Sequence, residues 1–388
     1  MFGFKLTHIT SGILPALVGY TGSIAIIFAA IEALDATQAQ ANSWLWALGI
    51  GMGLSGFVLA LRYKMPILTA WSTPGAALIA VSGEGVPMEQ AVGAFLFCAA
   101  LLIITGVTGI FERLTKLIPP ALASAMLAGI LFRFGLGTFE ALETAPLLVI
   151  IMLITWLIGR LWFPQLTIAI VLLVGAGFCA ATSMYNPGVE VTLALAKPVF
   201  VMPELNWSVV IGMGLPLFIV TMSSQNMPGV VVLKSAGYEP PVSATLTVTG
   251  VTSFLLAPFG GFAFNFAAIT AALCSGPETD PDPRQRYKAV LVSGSVNVFA
   301  GLFGATIISL FLIAPEALVL AIAGIALLGT ITSSLSAAMA DHQDRDAALV
   351  TFMFVVSGIS FFNIGAPVWG LLLGLVVKVA LDQRKNRV

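Results

Sequence analysis

Between residues 12 and 382 the chain is a succession of apolar runs of about 20 residues, each long enough to cross a hydrocarbon core of roughly 30 Å. That recurrence makes lipid the solvent of the fold. No water inside a bilayer satisfies backbone N–H and C=O groups, so runs of this kind fold as helices that close their own hydrogen bonds. Composition agrees: 59% of the 388 residues are hydrophobic and 9% are charged, whereas an ordinary soluble domain carries about 25% charged residues.

Apolar runs bounded by charge, Pro and Gly place spans near 12–32, 43–61, 66–82, 88–111, 119–135, 145–160, 165–183, 208–227, 241–257, 260–275, 288–312, 315–337, 347–362 and 364–381. The expected fold class is an all-α polytopic membrane protein of fourteen segments. With the N-terminus in the cytoplasm, Lys5, Arg62, Lys64, Arg113, Lys116, Arg160, Lys234, Arg284, Arg286, Lys288, Arg345, Lys378, Arg384, Lys385 and Arg387 fall inside, and only Arg133 and Lys197 outside. Such asymmetry is what the positive-inside rule asks of a correct even-numbered topology. Both termini are then expected on the cytoplasmic side of an inner membrane. The opening MFGFKLTHITSG lacks a signal peptide's charge, short apolar run and small-residue cleavage site, and is expected to stay in the mature protein.

The same sequence excludes several function classes. A formal net charge of −1, with no Lys/Arg cluster beyond Arg384, Lys385 and Arg387, gives no surface for nucleic acid. Cys98, Cys179 and Cys274 stand in apolar stretches without CxxC or Cys/His spacing and read as small buried side chains. There is no HExxH, GxSxG or P-loop, and both histidines, His8 and His342, are expected outside the bilayer. No catalytic residue, metal ligand or cofactor is expected.

Internal repetition narrows the architecture. Gly106, Gly109 and Gly129 reappear 195 residues later as Gly301, Gly304 and Gly324, and PALASAMLAGI from Pro120 matches PEALVLAIAGI from Pro315. Span one (LPALVGYTGS from Leu14) likewise resembles span eight (LPLFIVTMSS from Leu215). A unit of seven spans is odd in number, so its second copy returns upside down, an arrangement that recurs in secondary transporters. Residues 1–200 are expected to form the first repeat, spans 1–7, and residues 201–388 the second, spans 8–14.

Spans three and ten occupy equivalent places and are both poor continuous helices. Span three reads PILTAWSTPGAALIA from Pro66. Its β-branched and aromatic opening gives way at Ser72, Thr73 and Pro74 to a helix start, with a capping hydroxyl and Pro in the first turn. Span ten, GGFAFNFAAITAALC from Gly260, repeats the pattern with Asn265 as its expected cap. Each is expected to be a short strand followed by a half-helix. Irregular backbone at membrane depth is tolerated where it lines a cavity, and two half-helices starting there aim positive dipole ends at one point, an anion site.

Span eight adds Ser223, Ser224, Gln225 and Asn226, the densest uncharged polar cluster within a span. The two amides are expected to donate to a carboxylate; interhelical hydrogen bonding, or a capped helix end before Pro228, is the alternative use. Tyr20, Thr21 and Ser23 stand at the equivalent place in span one. No Asp or Glu lies in the middle of spans one, three, eight or ten, and Trp71, Phe262, Phe264 and Phe266 flank the two breaks, where they can hold a flat apolar ring or simply pack. The candidate substrate-binding set is Tyr20, Trp71, Ser72, Thr73, Ser224, Gln225, Asn226, Phe264, Asn265 and Phe266.

TAWSTPGAAL from Thr69, LPLFIVTMSSQNMPG from Leu215, AMLAGILFRFGL from Ala125 and CSGPETDPDPRQR from Cys274 together resemble the bacterial benzoate:proton symporter family of the BenE type, from end to end. The resemblance implies import of benzoate or a similar aromatic carboxylate with protons, for aromatic catabolism, with a homodimer as the candidate assembly. It also implies kinship with nucleobase transporters and sulfate and bicarbonate carriers, with seven plus seven inverted spans, a core domain of spans 1–4 and 8–11, and a gate domain of spans 5–7 and 12–14. The nucleobase relatives carry acidic residues on spans eight and ten where this chain has amides and apolar groups, so nucleobase transport is disfavoured. Proton carriage falls to the substrate itself or to an acid outside the site, with Glu316 and Glu140 as candidates. The alternative function is an exchanger or uniporter of another small organic or inorganic anion.

Overall fold

The expected spans are helical in the computed structural model, which describes residues 3–111, 113, 119–186, 191, 193–361 and 364–385. In chain order come α1 (Leu6–Ala33), α2 (Gln38–Tyr63), β1 (Thr69–Ala70), α3 (Thr73–Ser82), α4 (Met88–Thr108), α5 (Pro120–Thr144), α6 (Pro146–Trp162) and α7 (Thr167–Ala181). There follow α8 (Trp207–Ser235), α9 (Val242–Leu256), β2 (Asn265–Phe266), α10 (Ile269–Ser275), α11 (Tyr287–Leu302), α12 (Gly304–Ile313), α13 (Glu316–Ala338), α14 (Arg345–Ser357) and α15 (Ala366–Lys385). Among the described residues 8 helices are long and apolar enough to cross a membrane. The stretch expected as one continuous span over 288–312 is instead α11 and α12, bent by 64°. Its sequence there is Gly301-Leu302-Phe303-Gly304, and closely spaced glycines are a recognised cause of sharp kinks.

In lipid, helices gain little by hiding apolar surface from one another, so close approach through small residues holds the bundle. Gly49 of α2 lies so near α11 that a Cβ there would fall 2.5 Å from Gly301 Cα, and Gly53 is equally close to Val298. The counterpart is α4 on α9, where Gly106 meets Thr247 and Gly250 meets Ile103. Gly106 and Gly301, related by the sequence repeat, thus serve the same kind of crossing in the two halves. Elsewhere α5 packs on α13 and α14, α6 on α7, and α14 on α15, while α1 touches α13 and α7 and α3 touches α5. Cys98, Cys179 and Cys274 are buried and unpaired.

Helix α8 carries two wide π turns, Val210–Gly214 and Met222–Asn226. Proline lacks an N–H and its ring crowds the carbonyl four residues back. For Pro216 and Pro228 those residues are Gly212 and Ser224, one inside each wide turn. The second turn presents the polar cluster of span eight, and π turns are frequent at functional sites.

The charged loop from Pro277 to Lys288, whose composition suggests a solvated connection, departs from that expectation. Asp280 is only 1% exposed; its carboxylate accepts from Lys5 Nζ at 2.7 Å and contacts His8 Nε2 at 2.8 Å. His8 Nδ1 accepts the Lys5 N–H, which leaves Nε2 as the protonated nitrogen. Arg286 donates to the carbonyls of Asp280 and Ser275 at 2.8 and 2.7 Å, and Lys288 to that of Gly3 at 2.8 Å. Buried charge persists only when paired and hydrogen-bonded, and the bond from Lys5 holds the Asp280 carboxyl well below the usual carboxylate range. The network ties the end of α10 to the start of α1.

Candidate functional site

Two extended segments too short to be strands on their own survive at membrane depth because they pair with each other. Thr69 lies opposite Phe266 and Ala70 opposite Asn265 in an antiparallel ladder, extended by Ala267 N–H donating to Leu68 O at 2.9 Å. Helices fix both sides. Thr69 Oγ1 donates to Met52 O on α2 at 2.8 Å, and Asn226 Oδ1 on α8 accepts the Phe266 N–H at 3.0 Å. Beyond β1, Ser72 caps α3 by accepting the Gly75 N–H at 3.0 Å, and Thr221 Oγ1 on α8 donates to the same hydroxyl oxygen at 2.9 Å. Packing at Gly75 is tight: a Cβ there would lie 2.5 Å from Leu217 Cδ1 and 2.8 Å from Ser72 Oγ, so a larger residue would displace one of them. Helix α10 starts at Ile269 with no side-chain cap, so its first amides have no partner within the helix.

A cavity of about 540 Å³ borders both helix starts, touching Thr73 and Pro74 on one side and Ala267, Ala268 and Thr270 on the other. One wall is aromatic: Trp71 and Tyr20 meet edge to face with ring centroids 4.9 Å apart, and Trp71 Nε1 is fixed by donating to Ser23 Oγ at 2.9 Å. Ser224 and Gln225 come from the π turn of α8, and Ser293 and Asn297 from α11. The cavity extends to the α6–α7 turn, where Trp156, Arg160 and Gln165 line it, and to Thr330 and Ser333 on α13. Arg160 is the one charged side chain in its lining among the described residues. Among the described residues no carboxylate borders it, so an anion entering meets a cation, helix starts and neutral dipoles.

Of the sequence candidates, Tyr20, Trp71, Thr73, Ser224 and Gln225 come together around this cavity, and the other five lie behind it. Ser72 is the cap of α3 and fully buried. Asn226 is fully buried, and its amide oxygen is spent on the β2 backbone. Asn265 does not cap α10: it sits in β2, donates to Ala263 O at 2.8 Å, and the α10 cap position is Ala268. Held in β2 by its pairing with Ala70, it lies three positions before the residue at the cap. Phe264 lies over Gly51, where a Cβ would strike its ring at 2.1 Å, and Phe266 packs on Gly229; Phe262 stacks with Trp44 and Phe95. Ser224 spends its hydroxyl on Val220 O at 2.6 Å, whereas the Gln225 amide makes no hydrogen bond among the described residues. Glu140 and Glu316 do not border the cavity.

Sequence reasoning missed Ser293, Asn297, Arg160 and Gln165. Ser293 and Asn297 are four apart in span eleven, a spacing that puts both on one helix face, and Asn297 is an amide in mid-span, the signal that singled out span eight. In the sequence Arg160 stands out only as a topology charge, though Trp156 stands one turn before it and Arg160 Cζ lies 5.7 Å from that ring's centroid.

The sequence profile of the family described as benzoate membrane transport protein, BenE, matches residues 3–380. An inner membrane protein of Escherichia coli (strain K12), YdcO, is 40% identical over 390 residues, covering 100% of this chain and 99% of that one. The benzoate membrane transport protein of Acinetobacter baylyi (strain ATCC 33305 / BD413 / ADP1) is 37% identical over 382 residues, 98% and 97% of the two chains. Among solved structures, the transmembrane domain of the cyanobacterial bicarbonate transporter BicA superposes with a TM-score of 0.59 at 14% identity, covering 96% of this chain and 97% of that one. The murine anion transporter Slc26a9 in its inward-facing state gives 0.60 at 10% identity, over 99% and 69%. These two share the fold. By the full-length profile match and by two relatives matched from end to end, this multi-pass membrane chain belongs to the BenE family of benzoate membrane transport proteins.

Proposed function

We propose that the chain imports benzoate, or an aromatic carboxylate very like it, together with protons by alternating access. One observation carries the reading: the cavity at the two helix breaks combines an edge-to-face aromatic pair, Tyr20 and Trp71, with uncapped or partly free amides and, among the described residues, no acid. Benzoate has that duality, a flat apolar ring with a negative end. The carboxylate lies at the α3 and α10 starts within reach of the Gln225 amide, and the ring lies against Trp71 and Tyr20. Membership in the BenE family and the name of the Acinetobacter relative support the same substrate class.

The packing suits a core of α1 to α4 with α8 to α12, and a gate of α5 to α7 with α13 to α15. In this reading the substrate rides on the core, and the gate supplies the Arg160 side of the cavity. Under the positive-inside topology, with both termini in the cytoplasm of an inner membrane, the Arg160 end of the cavity faces the cytoplasm. Because no acid among the described residues borders the cavity, the proton travels on the substrate carboxylate or on a group outside the cavity.

Ligand-dependent melting of the purified protein tests the substrate class. A ligand at a hundred times its Kd stabilises the folded state by about 2.7 kcal/mol. Benzoate is expected to raise the melting temperature, and uracil and sulfate to leave it where it was. A shift with sulfate and none with benzoate would instead make the chain a small-anion carrier.

A further inference from the structure

Most hydroxyls in these helices close on the carbonyl four residues back: Ser23 on Gly19, Ser55 on Gly51, Ser224 on Val220, Thr249 on Thr245. Ser293, in the middle of α11, does not. It is 0% exposed and its Oγ finds no hydrogen-bond partner among the described residues. Three other buried side-chain oxygens share that condition, on Asn42, Thr245 and Asn265, but Ser293 alone of the four borders the cavity. Leaving a buried hydroxyl unpaired is unfavourable, and each such group calls for an explanation.

Its neighbours supply one. Asn297, one helical turn further along α11, is 4% exposed and also borders the cavity. The Tyr20 hydroxyl donates to the Asn297 carbonyl at 3.4 Å, a long bond that a better acceptor would displace. Ser293, Asn297 and the polar tip of Tyr20 therefore form one neutral hydrogen-bonding patch. It adjoins the aromatic pair and comes from α11 and α1, not from the α3, α8 and α10 elements whose groups meet the carboxylate.

We propose that this patch is a second polar subsite that takes a ring hydroxyl, so that hydroxybenzoates are preferred cargo over equally bulky aromatic acids without one. The inference rests on the aromatic-carboxylate reading above. A hydroxyl both donates and accepts, and so pairs with the Ser293 oxygen, the Asn297 amide and Tyr20 in either sense. A methyl group of similar size pairs with none of them, and a site built to bond a substrate hydroxyl discriminates against analogues that lack it.

The test is competition against labelled benzoate uptake in proteoliposomes, pairing 2-, 3- and 4-hydroxybenzoate with the methylbenzoates of the same substitution. In the wild-type protein at least one hydroxybenzoate is expected to inhibit about tenfold more tightly than its methyl counterpart. Ser293→Ala is expected to remove that preference and Ser293→Thr, which keeps the hydroxyl, to retain it. Equal inhibition by every hydroxy and methyl pair in the wild type overturns the inference even if the variants do not fold, and so does a preference that survives in Ser293→Ala. Wild-type protein that takes up no benzoate overturns the substrate reading itself, and the inference with it.

Discussion

Thr73→Asp is expected to abolish benzoate binding while leaving the fold intact. Thr73 is the first residue of α3, immediately after the Ser72 cap, and borders the cavity. A carboxylate in the first turn of a helix is favourable to the helix itself, because it faces the positive end of the dipole. The same negative charge beside a bound carboxylate is repulsive: two like charges about 4 Å apart interact by about 4 kcal/mol at an effective dielectric constant near 20, close to a thousandfold in affinity. Isothermal titration of benzoate, run beside a melting curve, separates the two effects. Thr73→Asn, neutral and of similar size, is expected to keep most of the affinity. Wild-type affinity in a well-folded Thr73→Asp protein would remove the carboxylate from this helix.

Gln225→Ala and Asn226→Ala are expected to fail in opposite ways, although the residues are adjacent. The Gln225 amide borders the cavity, so truncating it removes a donor to a charged group, worth about 1.5–3 kcal/mol or roughly ten- to a hundredfold in affinity. Its melting temperature is expected to stay near the wild-type value. Asn226 is fully buried and accepts the Phe266 N–H. Removing it leaves a backbone donor unsatisfied at membrane depth, at a cost of about 1–3 kcal/mol to the fold, and the lowered melting temperature is expected to precede any loss of affinity in properly folded protein. An Asn226→Ala protein that melts like the wild type but binds benzoate a hundredfold more weakly would exchange the two roles.

This pair shows where sequence reasoning stops. Ser-Thr-Pro in the middle of an apolar run announces a helix start through local chemistry alone, and Ser72 is found capping α3. The broken character of span ten was legible in the same way, from an aromatic, glycine-rich opening before small helix formers. Which of two neighbouring amides faces a ligand is a matter of helix phase. In α8 the phase is shifted by a π turn set against Pro228, and no 3.6-residue periodicity predicts that shift. Asn265 failed as a cap for a related reason: a two-residue ladder, an interaction with residues almost 200 positions away, decides its place. Arg160 and Gln165 reach the cavity only because α6 and α7 pack against the rest of the bundle, a contact that the local signals of span boundaries do not contain.

Coupling is what makes the proposed carrier active, and it is tested by labelled benzoate uptake into proteoliposomes at zero membrane potential, with and without an inward proton gradient. Moving one charge against an inside-negative potential costs about 2.3 kcal/mol per 100 mV, and one proton per carboxylate cancels that cost. Neutral benzoic acid also crosses lipid unaided, so the quantity to read is the saturable uptake above that of vesicles holding the Thr73→Asp protein. The account predicts that this component rises with the proton gradient, carries no net current at one proton per benzoate, and is indifferent to sodium. A component that vanishes against the Thr73→Asp vesicles, or one that follows sodium at constant pH, would contradict it.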